Sequence, residues 1–239
     1  MIQVQITDKL AWVEINRPKQ KNALSIRLLQ QLLNELKSLE SNNKVSVIII
    51  FGKENFSSGG DINDMNIETE QEAIRIATQV QDIYSQIESI EKPIIAYTKG
   101  LVYGGGFELA LVCDIIFSHN NSSFSLPETS LGIIPGGGAT QRLKNVVGKH
   151  NASYILMSGK IFTAGDMYRL NLIQDIFDNI KDVEKEALII AKNNNIASQE
   201  LKKLLSKNND FKSESESFSK LIMGEGKKGI ENFLKYKKK

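Results

Sequence analysis

One cysteine, Cys113, is the only thiol in 239 residues, so no intrachain disulfide and no multi-cysteine metal site can form. That suits a reducing, cytoplasmic setting. Within the run LALVCDIIF, Cys113 reads as a small buried hydrophobe. Charge excess is also missing: 30 Lys and Arg against 28 Asp and Glu leave a formal charge of +2. A dedicated nucleic-acid binder carries a stronger and more clustered basic surplus, so nucleic acid is an unlikely partner. No apolar run approaches the ~20 residues a membrane helix needs. The N-terminal stretch has no basic segment followed by an apolar one, so no signal peptide and a soluble protein are expected. There is no internal repeat and no low-complexity linker.

What remains is 41% hydrophobic residues over a length suited to one large core. Val4 and Ile6 alternate with polar residues, and Leu10 to Ile15 reads as a hairpin partner across Thr7-Asp8-Lys9. Ser25 is a candidate N-cap for a helix over Ile26 to Leu39, with leucines at helical spacing. Val45 to Phe51 is the near-continuous apolar run of a strand buried on both faces. A helix over Gln71 to Ile90, a strand over Ile94 to Tyr97, a helix over Phe107 to Val112 and a strand over Asp114 to Ser118 follow. This alternation predicts an α/β fold with right-handed crossovers. Beyond about residue 150 the pattern turns helical and amphipathic, over Ala152 to Ser158, Ala164 to Leu170, Val183 to Asn193 and Ser215 to Met223. The expected division is a catalytic core over 1–180 and a C-terminal helical region over 181–239.

Three features carry chemistry. The loop Ser57-Ser58-Gly59-Gly60-Asp61 follows a strand, and its paired glycines let backbone N–H groups be approached closely. Gly104-Gly105-Gly106 opens a helix, whose first N–H groups and dipole favour an anion. Each pattern alone is most often only a turn. Together they suffice for a two-donor oxyanion hole. The third feature is a pair of carboxylates, Glu108 in the otherwise apolar helix FELALVC and Glu128 after Pro127. His119 and His150 have no convergent partner and read as surface residues. Asp61 and Asp114 read as loop-bracing or strand-end residues, and no metal-ligand cluster is present.

The stretch from Lys92 to Lys149 closely resembles the enoyl-CoA hydratase/isomerase, or crotonase, family. So do Asn16-Arg17-Pro18 with Asn22-Ala23-Leu24, the segment FSSGGDI at 56–62, and the helical end GKKGIENFLKYKKK. The resemblance implies a crotonase (ClpP-like) fold, a repeated ββα superhelix whose C-terminal helices serve trimerisation, as homotrimers or homohexamers. It implies that the Gly60 and Gly105 N–H groups bind a thioester oxygen, and that Glu108 and Glu128 are the catalytic pair of an enoyl-CoA hydratase. Isomerases, decarboxylases and hydrolases of the family commonly lack one or both glutamates. No metal or redox cofactor is implied, because CoA is part of the substrate. The expected CoA contacts are Arg17, Lys19, Ser58, Gly60, Asp61, Ile62 and Gly105. Arg17, Lys19 and Lys21 equally suit an ordinary solvated basic turn.

The chain also departs from the pattern. Asn63 stands where many relatives carry a lysine, and the terminal lysines are offered as a replacement phosphate contact. Phe107 and Ser125 stand where smaller residues are frequent, and the segment near 178–195 looks short. The alternatives to hydration are a Δ3-Δ2-enoyl-CoA isomerase and a non-catalytic homologue that binds acyl-CoA or RNA.

Overall fold

A computed structural model describes residues 1–206 and 210–236. The chain opens with a hairpin, β1 (Ile2–Thr7) against β2 (Leu10–Ile15), closed by Asp8 and Lys9, both at positive φ. Helix α1 (Ile26–Glu40) starts at Ser25, whose Oγ accepts from the Leu28 N–H at 3.2 Å, and buries six leucines on one stripe. Strand β3 (Val47–Phe51) leads through a loop to α2 (Glu70–Glu88), and then come β4 (Ile94–Thr98), β5 (Leu101–Tyr103), α3 (Gly105–Leu111), β6 (Ile115–Ser118) and β7 (Ser123–Ser125). A short 3-10 turn, Pro127–Leu131, precedes α4 (Ala139–Ser158), β8 (Phe162–Thr163), α5 (Ala164–Arg169), β9 (Asp175–Ile176) and α6 (Ile180–Lys192).

The larger sheet has the order β1-β2-β3-β4-β6-β9, parallel throughout except for the opening hairpin, and the smaller has the order β5-β7-β8. Each turn of chain gives one strand to the large sheet, a short one to the small sheet, and then a helix: β4-β5-α3, then β6-β7-α4. This is the expected ββα spiral. Both faces of the large sheet are covered, which explains the unbroken apolar run of β3. Ile48 and Ile50 enter the main core with α1 and α2, while Val47 and Ile49 join Leu10, Ile95 and Tyr97 against Val183, Ala187 and Ala191 of α6.

The chain divides into two compact units, Met1–Lys192 and Asn193–Lys239. The first unit includes α6, whose small-residue stripe packs on the large sheet. The second unit holds α7 (Asn195–Leu205), α8 (Phe211–Met223) and α9 (Glu225–Tyr236), and within it Ser217 Oγ donates to Glu200 at 3.0 Å. Two helices differ from expectation. α4 begins at Ala139, not near residue 152, and breaks at Gly148 (φ 77°, ψ 160°), so the reading from the sequence caught only its second half. α7, with Ile196, Leu201 and Leu205 exposed in the fold, is not among the helices expected from the sequence. The lysines proposed for phosphate at 237–239 lie outside the described residues. Among the described residues, no helix is long and apolar enough to cross a membrane.

Candidate active site

The loop after β3 runs along β5. Phe56 N–H donates to Lys99 O at 2.7 Å, Ser57 N–H to Leu101 O at 2.9 Å, and Tyr103 N–H to Ser57 O at 3.0 Å. That pairing brings the two glycine motifs together. A Cβ on Gly105 would stand 3.4 Å from the Gly60 nitrogen, so the two backbones touch. Neither the Gly60 nor the Gly105 N–H donates to a protein acceptor among the described residues. Tyr84 Oη donates to Gly105 O at 2.7 Å and holds the start of α3. Two unspent donors side by side, one at a helix N-terminus, are the groups an oxyanion hole requires.

Two glycines in this region have no substitute. Gly104 adopts φ 47°, and a Cβ there would lie 2.9 Å from Glu128 Oε1. Gly106 packs so closely on the first loop that a Cβ would meet Ser57 Cβ at 2.5 Å.

Glu108 is buried at 4% exposure, one turn into α3. Its Oε1 accepts from the Gly137 N–H at 2.8 Å and the Ala139 N–H at 3.0 Å. Burial raises its pKa, and the backbone donors and the positive charge of Arg142 oppose the rise. Glu128 comes from the turn after β7. Its Oε2 is buried without a hydrogen-bond partner, and its pKa is pushed up to about 7, first by burial, with the charge of Glu108 adding to it. Two carboxylates that feel each other, one braced by N–H groups and one with an open oxygen, can divide base and acid roles.

The first loop is more tightly internal than the sequence suggests. Arg17, one of the expected CoA contacts, donates through Nη1 to Ala23 O at 2.7 Å and to Asp61 Oδ2 at 3.0 Å. Asp61 also accepts from the Asn63 N–H and Nδ2 at 3.1 and 2.8 Å, and these bonds and Arg17 hold its carboxyl below the usual range. Its side chain braces this loop. The same bonds give Asn63 a structural reason to stand where a lysine was expected. Ser58 donates through Oγ to Gln20 O at 3.3 Å and through its N–H to Lys21 O at 3.0 Å, tying the basic turn to the glycine loop. Lys19 and Ile62 are exposed beside this junction. His119 is half-buried, not a surface residue, because its Nδ1 accepts from the Asn121 N–H at 3.1 Å and fixes the turn before β7. Asp114 receives the Ile94 N–H at 2.7 Å, as a strand-end brace should.

Reasoning from sequence missed the partners of Glu108. Gly136-Gly137-Gly138 lies in the densest part of the resemblance, and a glycine run before a helix was the available signal. The same segment lines a cavity of about 960 Å³ with Ala77, Gln81, Ile133 and Ile134. Neither glutamate lines that cavity, but Gly136 and Gly138 do, and they flank the N–H bound to Glu108. Among the described residues, no three His, Cys, Asp or Glu side chains gather to hold a metal ion.

Stacked ββα turns, with two glutamates beside a pair of unspent N–H groups, define a crotonase-fold protein. Solved structures of that fold superpose over nearly the whole chain. The enoyl-CoA hydratase of Bacillus anthracis matches at TM-score 0.92 and 26% identity, covering 98% of this chain and 96% of the other. That of Thermoplasma volcanium matches at TM-score 0.88 and 28% identity, covering 93% and 92%. The enoyl-CoA hydratase/isomerase family model matches residues 5–238, and the chain belongs to that family.

Similar sequences include the 2,3-dehydroadipyl-CoA hydratase of Escherichia coli K12, 40% identical over 164 residues, 68% of this chain and 64% of the relative. The crotonyl-CoA hydratase of Syntrophomonas wolfei is 36% identical over 171 residues, 71% of this chain and 66% of the relative. The chain thus spans just under two thirds of the length of these curated relatives.

Proposed function

We propose that the protein is an enoyl-CoA hydratase, adding water reversibly to a 2-trans-enoyl-CoA to give the 3-hydroxyacyl-CoA. The observation that carries this reading is the presence of both glutamates beside the unspent Gly60 and Gly105 N–H groups, which we read as an oxyanion hole. The Gly60 and Gly105 N–H groups polarise the thioester carbonyl, so charge pushed onto it by attack at Cβ rests on an enolate oxygen. One such donor is worth about 3 kcal/mol in the transition state. Glu108, held by two N–H groups, orients and deprotonates the water. Glu128, with a pKa near 7 and an unbonded oxygen, delivers the proton to Cα on the same face. Dehydration runs through the same groups in reverse, and neither direction requires a metal or redox cofactor.

The relatives named as hydratases at 36–40% identity support the reading. Lys19 and the backbone from Ser58 to Ile62 are the proposed CoA contacts, and the cavity beside Ile133 and Ile134 is the proposed acyl site. Homotrimers or homohexamers are the proposed assembly. The exposed apolar residues of the second unit, Leu205, Phe211, Phe218 and Met223 among them, support a covered helical surface.

A Δ3-Δ2-enoyl-CoA isomerase is the second reading, favoured by one observation. Both N–H donors fall on Glu108, which leaves Glu128 free to shuttle a proton alone. Product analysis separates the two. Hydration yields a product heavier by one water from a 2-enoyl-CoA, whereas isomerisation interconverts 3-enoyl-CoA and 2-enoyl-CoA without change of mass.

A further inference from the structure

Glu108 depends on a segment that has no side chains of its own. Gly136, Gly137 and Gly138 precede α4, and a Cβ on Gly137 would meet Glu108 Oε2 and a Tyr84 ring carbon at 2.6 Å each. The close approach demands glycine, and three successive glycines make the most pliant backbone available. An N–H donor on such a segment is aimed only if something else fixes its peptide planes. Two side chains do so from the far side. Gln81 of α2 donates through Nε2 to Gly136 O at 2.7 Å. That carbonyl belongs to the same peptide unit as the Gly137 N–H that donates to Glu108 at 2.8 Å. Arg142 of α4 donates through Nη1 to Gly137 O at 3.0 Å, which fixes the next peptide unit. The Arg142 guanidinium is itself oriented by Glu88 of α2, with Nε and Nη2 at 3.1 and 2.9 Å from Oε2, and by Ser85 Oγ at 3.4 Å.

We propose that Gln81 and Arg142 are positioning residues that clamp the two peptide units on either side of Gly137, the first of which donates to Glu108, and thereby hold its carboxylate in register and ionised. A peptide whose carbonyl accepts a hydrogen bond is a stronger donor at its N–H, because the bonds in a chain polarise one another. The Gln81 clamp therefore strengthens the Gly137 N–H that Glu108 accepts, while Arg142 fixes the adjoining Gly137–Gly138 unit, whose N–H also favours the anion, and adds its positive charge. The charged and titratable groups that face Glu108 are Tyr84 from α2, Glu128 from the turn after β7 and Arg142 from α4, with Glu88 behind Arg142. Tyr84 is kept neutral by burial and by Glu108 itself. Arg142 is thus the one cation of the set.

The proposal rests on the hydratase reading for its kinetic consequence and on nothing but the fold for its electrostatic one. Both are measured on the full-length chain. Gln81 is exposed, so Gln81→Met keeps the length of the side chain and removes the donor, while Gln81→Lys returns a donor of similar reach. Arg142→Lys keeps the charge and loses the fork that grips both Glu88 and Gly137. For Gln81→Met and Arg142→Lys, kcat for crotonyl-CoA hydration is expected to fall about tenfold or more, because small displacements of a catalytic group cost rate. Both side chains also line the proposed acyl cavity, so the pH profile and not KM is the discriminating readout. The acid limb of the pH profile should move to higher pH, and Gln81→Lys should restore most of both.

Independently of any reaction, the Glu108 carboxyl is titrated by isotope-edited infrared spectroscopy in a Glu128→Gln background, with and without each clamp substitution. A higher pKa for Glu108 when a clamp is removed supports the proposal, even if wild-type protein proves not to hydrate enoyl-CoA. Folded clamp variants with an unchanged Glu108 pKa, and with an unchanged profile where activity exists, overturn it.

Discussion

Replacing Glu108 by glutamine should separate activity from stability. In the folded protein Glu108 Oε1 receives two backbone N–H bonds, at 2.8 and 3.0 Å, and the amide oxygen of glutamine can take both. The substitution is nearly isosteric, so the glycine segment keeps its place while the ionisable base is lost. General-base catalysis is worth about 10²–10⁴ in rate, so kcat should fall by that factor, about 3–5 kcal/mol in activation free energy. Stability should move the other way or not at all. Two charge-assisted bonds become neutral ones, at a loss of about 1 kcal/mol each. Against that stands relief from burying a charge, and burial is the largest influence on this carboxyl and raises its pKa. Ionised Glu108 therefore opposes folding at neutral pH, and the amide removes that opposition. Ultraviolet loss of crotonyl-CoA conjugation measures the rate, and urea unfolding at pH 7 measures the stability. A Glu108→Gln protein that keeps more than a tenth of the wild-type rate refutes the assignment as base. One destabilised by more than about 3 kcal/mol refutes the geometry argued for the amide, since that is the loss of breaking a buried polar group outright.

Glu128 has a folded pKa of about 7 against an ordinary value of 4.5, so the folded state holds the extra proton between those values. Stability from this group is full below about pH 4.5 and is lost as pH rises through 7, so the advantage of Glu128→Gln over wild type should grow from pH 5 to pH 8 in paired urea melts. Parallel melts at both pH values would contradict it. Gly106→Ala forces a Cβ to 2.5 Å from Ser57 Cβ, and overpacking of that kind costs about 1–3 kcal/mol. Because the strain falls on the loop that carries Gly60, thermal scanning should show a lower Tm and the hydration assay a lower kcat. Lys92 Nζ donates to Leu39 O at 2.8 Å and Asn42 O at 2.6 Å at the end of α1. Both carbonyls keep a backbone donor, the Asn42 N–H at 3.1 Å and the Val45 N–H at 2.9 Å, so Lys92→Met should lose only about 1 kcal/mol in denaturant unfolding while leaving kcat unchanged.

Much of the scaffold was legible because its signals are local. The leucine spacing of α1 with Ser25 before it, and the unbroken β3 run, report burial directly in the residue pattern. The strands of the small sheet, two or three residues each, carry too few residues for any period to show. Gly148 hid the first half of α4 by breaking the pattern at its middle. Glu108 stood out as a lone charge in an apolar helix, and its kinship with Glu128 came through the family resemblance. The partners of Glu108 were hidden for a different reason, since they are backbone N–H groups that every residue but proline possesses. For Arg17, sequence reports the presence of a charge and not its partner, which in the fold is Asp61 at 3.0 Å.

The central claim, hydration by two glutamates at one oxyanion hole, is tested most directly by the loss of conjugated-thioester absorbance of crotonyl-CoA with wild type, Glu108→Ala and Glu128→Ala. The account predicts rapid loss with wild type and a fall of order a hundredfold or more in each variant. Folded wild-type protein that leaves crotonyl-CoA and longer 2-enoyl-CoAs unchanged, or a Glu128→Ala protein as fast as wild type, would contradict it.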